Sequence, residues 1–251
     1  MKHIVPRIST RGYYDLTSGN TIKRNRYYLY TKKAFAGLEG SAELTIMIHG
    51  LRNDSRGAAQ KTIIARNRLR RLGYEHPVIG FSYDSNTTGA HILTRARHAL
   101  AAGRKIATKN GRNLAMFIGD FKNANPRTKI RLVGHSLGSQ VILGTIENLA
   151  KSGKNKGIIE SVHMFGASIP CDALSSPRHI NNLDIIVRKK IVNYFSPTDE
   201  VLLAAADSRL VKCPLGLNGA MGKPLLKYRQ IMVRPKNHRF ASYAAVLESF
   251  P

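Results

Sequence analysis

The sequence predicts an α/β protein built on a mostly parallel sheet with helices on both faces. Three observations predict it: short β-rich runs recur along the chain, several of them are apolar at consecutive positions, and helical stretches lie between them. Consecutive apolarity marks a strand buried on both faces, as in a parallel sheet covered by helices, whereas a half-solvated antiparallel strand alternates. Strands that alternate with helices and cross over right-handed build one such sheet, and ligands collect at the carboxyl ends of its strands.

Residues 42–48, 77–83, 129–133, 160–165, 190–195 and 228–233 read as strands, each bounded by turn formers. The stretch from Asp54 or Ser55 to Leu72 opens on a capping residue and carries Ala59, Ile63, Leu69 and Leu72 loosely on one face. It stops at Gly73, so it reads as a helix. Further helices are expected over 91–121, divided by Gly103 and Gly111, over 137–151 and over 240–250. In the first 35 residues, the run 27–31 and the turn signal Ser18-Gly19-Asn20 suggest one or two antiparallel strands at the sheet's edge.

A length of 251 residues suits a single domain over 1–251, with a sizeable core. Hydrophobic residues make up 43% and charged residues 22%, which excludes a mainly disordered chain. The longest apolar run, 201–206, is far below the roughly 20 residues of a membrane span. No secretory h-region follows Lys2, so no export is expected. The two cysteines, Cys171 and Cys213, cannot build a framework of several bridges and form no Cys-x-x-Cys pair. A reducing, cytoplasmic home is the simplest reading.

The sharpest signal is Gly134-His135-Ser136-Leu137-Gly138, where the strand 129–133 hands over to the helix expected from 137. A serine on so tight a strand-to-helix turn projects its hydroxyl above the sheet, and Gly134 and Gly138 let the two backbones pass without Cβ clashes. Ser136 is the expected nucleophile. The bland alternative is a glycine-rich turn with a capping serine.

Here the sequence resembles the α/β-hydrolase superfamily, in its esterase and lipase-like branch, over residues 26–251. The resemblance implies an α/β-hydrolase fold with the functional residues in the order nucleophile, acid, histidine. Asp199, beyond the strand 190–195, is the implied acid, with Asp172 as the alternative. His238, after the last strand, is the implied base and the only histidine after His179. The segment Ile46-Met47-Ile48-His49-Gly50-Leu51 resembles the entrance to an oxyanion hole, whose donors would be the backbone N–H groups of Leu51 and Leu137. In this reading His49, Gly50 and His135 support the loop and the elbow. His3, His76, His91, His98 and His179 read as exposed or capping, and His163 as packed in a strand.

The reading needs no metal and no cofactor, and the implied partner is a small-molecule ester. Only 166–189 separates the strand after the nucleophile helix from the next, too little for a large cap domain. Residues 207–227 could form a small flap, and the loop 84–89 could line the pocket. Such an open site favours soluble esters of short or medium acyl chain, and lactones are within reach of the same attack.

Lys and Arg number 40 against 15 Asp and Glu, a net charge of +25. Basic clusters at Arg66, Arg68, Arg70 and Arg71 and at Arg188, Lys189 and Lys190 read first as solvated faces. The rival reading from another class is a protein that binds nucleic acid or an anionic surface on an idle hydrolase scaffold. Oligomeric state is not readable from the sequence.

Overall fold

The computed structural model describes residues 5–251. Its elements are β1 (Arg7–Ser9), β2 (Tyr28–Tyr30), α1 (Lys32–Ala36), β3 (Glu43–Ile48), α2 (Ser55–Arg71), β4 (Val78–Ser82), α3 (Ala96–Ala124), β5 (Lys129–His135), α4 (Gly138–Ala150), β6 (Ile159–Phe165), α5 (Pro177–Ile186), β7 (Val187–Phe195), α6 (Glu200–Asp207), α7 (Leu215–Asn218), β8 (Tyr228–Met232) and α8 (Phe240–Ala245). The strands form one sheet in the order β2-β1-β4-β3-β5-β6-β7-β8. All neighbours are parallel except β1 and β2. The predicted mostly parallel sheet flanked by helices is therefore present, and no large cap interrupts it. At the edge the expectation changes in part: only β2 is antiparallel to the rest. The three residues of β1, too short to show a period, run parallel to β4 with Ile8 fully buried.

Consecutive apolarity works as anticipated, since every residue of β3, β4 and β6 is buried. On one face, α3, α4 and α5 pack through residues such as Ile106, Leu114, Ile142, Ile146 and Leu183. On the other, α2 and α8 close over Val133, Phe165 and Val192 through Ala65, Leu69, Phe240, Tyr243 and Leu247. The register sets Ile48 beside Gly134, His135 beside Phe165 and Phe165 beside Tyr194. The carboxyl ends of β3, β5, β6 and β7 thereby form one rim.

Asp54 caps α2 by accepting the Gly57 N–H at 2.7 Å. The buried stripe of α2 is Ala58, Thr62, Ala65 and Leu69, shifted around the helix from the one read in the sequence. Gly103 and Gly111 do not divide α3, which runs unbroken. They are packing positions. A Cβ at Gly111 would collide with the backbone of Gly144 in α4, and one at Gly103 would lie 2.5 Å from Leu51 Cδ1. At the end of the chain α8 stops at Ala245 because the backbone turns there, and Arg68 Nε meets the Leu247 carbonyl at 3.1 Å.

The two cysteines are joined. Cys171 and Cys213 form a disulfide with Cα atoms 5.4 Å apart. Disulfides persist in oxidising surroundings, so the bridge weighs against the reducing home inferred from the cysteine count. It also fixes the segment read as a flap: Leu215, Gly216 and Leu217 are buried, and Gly216 N–H donates to Ala167 O at 2.8 Å. Among the described residues no helix is long and apolar enough to cross a membrane.

Candidate active site

The rim at the ends of β3 and β5 is where the two backbones come closest. Ser136 has φ 52°, a left-handed conformation that an L-residue adopts only when its surroundings hold it there. The surroundings are the glycines. A Cβ at Gly134 would lie 2.6 Å from Ile142 Cδ1, one at Gly138 would collide with Ile48 O, and one at Gly50 would lie 2.8 Å from Ser136 Cβ. The first two let α4 start directly above β5. The third lets the loop after β3 pass against the serine.

Three segments distant in sequence bring their side chains together over this turn. His238 Nε2 lies 2.9 Å from Ser136 Oγ, and His238 Nδ1 lies 2.7 Å from Asp199 Oδ2. A carboxylate only accepts, so Nδ1 carries the proton and Nε2 is left to accept from the serine hydroxyl. The imidazole keeps 14% exposure and the Asp199 side chain none, so the histidine is reachable and the carboxylate is sealed. A strained serine turn ends the fifth strand, and an acid after β7 and a histidine after β8 close on it. This is the α/β-hydrolase fold.

A family model described as a protein of unknown function (DUF726) matches residues 98–205. No curated protein matches the chain. Among solved structures, a Trichoderma reesei cutinase in complex with a phosphonate inhibitor is 17% identical, with 86% of this chain and 80% of that one covered and a TM-score of 0.41. A lipase-esterase related protein from Clostridium acetobutylicum is 12% identical, with 82% and 92% covered and a TM-score of 0.43. The catalytic core domain of acetyl xylan esterase from Trichoderma reesei is 13% identical, with 53% and 67% covered and a TM-score of 0.34.

Asp199 is held by both carboxylate oxygens. Oδ1 caps α6, accepting from the N–H groups of Val201 at 3.2 Å and Leu202 at 3.1 Å. Oδ2 also takes the Tyr243 hydroxyl at 2.6 Å. Burial alone would raise this carboxyl; the hydrogen bond and charge of His238, with the Tyr243 and Leu202 donors, outweigh it and hold the group below its ordinary range. Asp172 is elsewhere: it is exposed, and its carbonyl caps the turn that enters α5.

The other histidines separate by burial. His135 Nε2 donates to the backbone carbonyl of His238 at 2.8 Å. Burial, then the proximity of His238, pushes its pKa well below the ordinary value. His49 stacks on Tyr83 at 4.5 Å between ring centres. The Tyr83 N–H donates to its Nε2 at 3.3 Å, so Nδ1–H donates to Gly50 O at 3.0 Å. Burial, then Arg11, lowers its pKa to about 3. His163 is buried in β6, His76, His91 and His98 are exposed, and His179 pairs with Glu147 at 3.1 Å. His3 lies outside the described residues.

Leu51 and Leu137 follow the two close-approach points, and their side chains pack on the bare face of Gly103. Among the described residues no protein acceptor takes either backbone N–H. The loop carrying Leu51 is fastened from several directions. Asn53 Nδ2 donates to the carbonyls of Gly50 at 3.0 Å and Leu51 at 2.8 Å, and Arg11 donates to the carbonyls of Asn53 at 3.1 Å and Asp54 at 2.8 Å. The start of the loop after β4 is tied down inside the fold, while Asn86 and Thr88 are exposed. Its Asp84 is buried and collects the N–H groups of Gly12, Tyr13 and Tyr14, while the Ser85 carbonyl takes Arg52 N–H at 2.8 Å.

Tyr243, Arg11 and Asn53 were not singled out by the sequence. Each acts on a backbone group or on one oxygen of a distant side chain, and no spacing in the chain announces such a contact.

Proposed function

We propose that this protein is a serine hydrolase of carboxylic esters with short to medium acyl chains, acting through an acyl-enzyme. The observation that carries the reading is the continuous relay from Ser136 Oγ through the His238 imidazole to Asp199, at 2.9 and 2.7 Å. A hydroxyl is a weak nucleophile at neutral pH and needs a base within hydrogen-bond reach. As Ser136 Oγ attacks the carbonyl carbon, its proton passes to His238 Nε2. The Nδ1–H stays on the ring, and the Asp199 carboxylate stabilises the imidazolium. Collapse of the tetrahedral adduct breaks the ester C–O bond, and the departing alkoxide takes the proton from Nε2. Water then enters against the acyl carbon, gives a proton to Nε2, and the second collapse returns it to Ser136.

Negative charge on the carbonyl oxygen falls to the Leu51 and Leu137 N–H groups. Each such donor is worth about 3–4 kcal/mol in the transition state. Asn53 and Arg11 support that role because they immobilise the loop before charge develops. The absence of a large cap and the partial exposure of Ser136 favour short, soluble esters.

A fluorophosphonate probe should label Ser136 in the native protein and fail to label Ser136→Ala. Nitrophenyl esters from acetate to palmitate, with lactones alongside, then set acyl preference. A native protein that neither labels nor turns over any member of the panel refutes the reading.

A further inference from the structure

The charge of +25 has no part in the relay, yet two of the segments that meet there carry a cation close by in sequence. Arg52 is two residues beyond Gly50, the residue pressed against Ser136, and Arg239 directly follows His238. With consecutive Cα atoms about 3.8 Å apart, both arginine backbones fall within roughly 12 Å of the serine, near enough for their charges to act on a bound ester. Both side chains are exposed.

Arg52 also has φ 60°, a conformation that glycine or asparagine would adopt at lower cost. The chain nevertheless holds a long cation there, its N–H fixed on Ser85 O. Lys61 of α2 is half-buried on the same side, within electrostatic range of Arg239, His49 and His135. Among the described residues, Arg52, Lys61 and Arg239 form no ion pair with a carboxylate. Of the nearby acids, Asp54 caps α2 beside Arg11 and Arg56 and Asp199 is sealed in the relay, while Glu200 stands exposed at the start of α6.

We propose that the site takes esters bearing a negative charge, a carboxylate or a phosphate, near the scissile bond, and that Arg52 and Arg239 are its counter-ions, with Lys61 adding to the field. The proposal rests on the hydrolase reading and names its substrate class. Two unpaired guanidinium groups beside a reacting carbonyl attract such a substrate and hold it through charge-assisted hydrogen bonds.

The test uses two matched pairs. Mono-nitrophenyl succinate against nitrophenyl butyrate places charge on the acyl side, and 4-acetoxybenzoate against phenyl acetate places it on the alcohol side. Each kcat/KM is normalised to the ester's hydrolysis by hydroxide. In at least one pair the charged ester should be favoured by about tenfold at low ionic strength, and the preference should shrink as salt shortens the Debye length. Arg52→Glu with Arg239→Glu should reverse it, and Arg52→Gln with Arg239→Gln should abolish it. Parity in both pairs, or preference for the neutral members, overturns the proposal. Fluorophosphonate labelling of Ser136 is run in parallel: labelling with parity refutes only the anionic preference, whereas no labelling refutes the hydrolase reading beneath it.

Discussion

Of the serine–histidine pairs among the described residues, one meets solvent at the rim of the sheet and another is sealed inside it. Ser136 and His238 stand 2.9 Å apart at the rim of β5, while Ser161 Oγ and His163 Nε2 stand 3.1 Å apart inside β6. Distance therefore does not distinguish them. Their surroundings do. Ser161 accepts from Arg131 Nη1 at 3.0 Å, in a buried group where Glu43 also grips Arg131 at 2.8 and 3.0 Å. The Nδ1 of His163 faces the Tyr194 hydroxyl at 3.4 Å rather than a carboxylate. Residues at 0% and 1% exposure cannot receive a substrate, and a histidine without an acid cannot hold its proton charge at low cost. On the proposed function, nucleophilic chemistry takes a strained backbone to lift the hydroxyl, a sealed acid and an open approach, and the inner pair has none of the three.

The comparison breaks most readily at the serines. On the proposed function, Ser136→Ala should lower ester turnover by ~10⁴-fold or more, whereas Ser161→Ala should keep turnover within about twofold and cost roughly 1–3 kcal/mol of stability by stripping Arg131 and His163 of a partner. Equal losses in the two variants, measured with nitrophenyl butyrate and by denaturant titration, would erase the distinction.

Acid sharpens it. His163 and His49 are held at about 3, chiefly by burial, and His135 is lowered for the same reason. In the unfolded chain all three return to the ordinary value of 6.5. Between these limits the unfolded state binds more protons, so stability falls as pH drops below about 6.5 and is level above it. The slope is up to about 1.4 kcal/mol per pH unit for each histidine. The melting temperature should decline steadily from pH 6.5 to 4.5, and His163→Gln should make the decline shallower. A melting temperature constant over that range would contradict the sealed environments.

The smallest effect separates the two tyrosines. Tyr243→Phe removes a 2.6 Å donor from Asp199 Oδ2 and should lower kcat by about three- to tenfold with a changed pH profile. Tyr194→Phe removes only the 3.4 Å contact to His163 and should leave kcat within about twofold.

The mostly parallel sheet was legible because parallel strands write their burial directly into consecutive apolar positions, as β3, β4 and β6 do. The serine turn was legible because its glycines are required by backbone approach. The order of residues that the resemblance implies then led to Asp199 and His238, whose side chains the fold brings to Ser136. What the sequence hid depends on contacts between distant segments. Gly103 and Gly111 look like helix breakers until α4 and Leu51 are seen against them. Cys171 and Cys213, separated by 42 positions, look unrelated until the fold sets their Cα atoms 5.4 Å apart.

The double engagement of Asp199 constrains how the cleft above Ser136 can change shape. One oxygen anchors the start of α6 and the other holds the imidazole, so swinging that helix outward would tilt the carboxylate and turn the His238 ring away from Ser136. The first turn of α6 is thus a fixed doorpost. Any adjustment of access has to hinge beyond Leu202, in the stretch that Arg97 and Arg104 fasten at the carbonyls of Ser208 and Leu210.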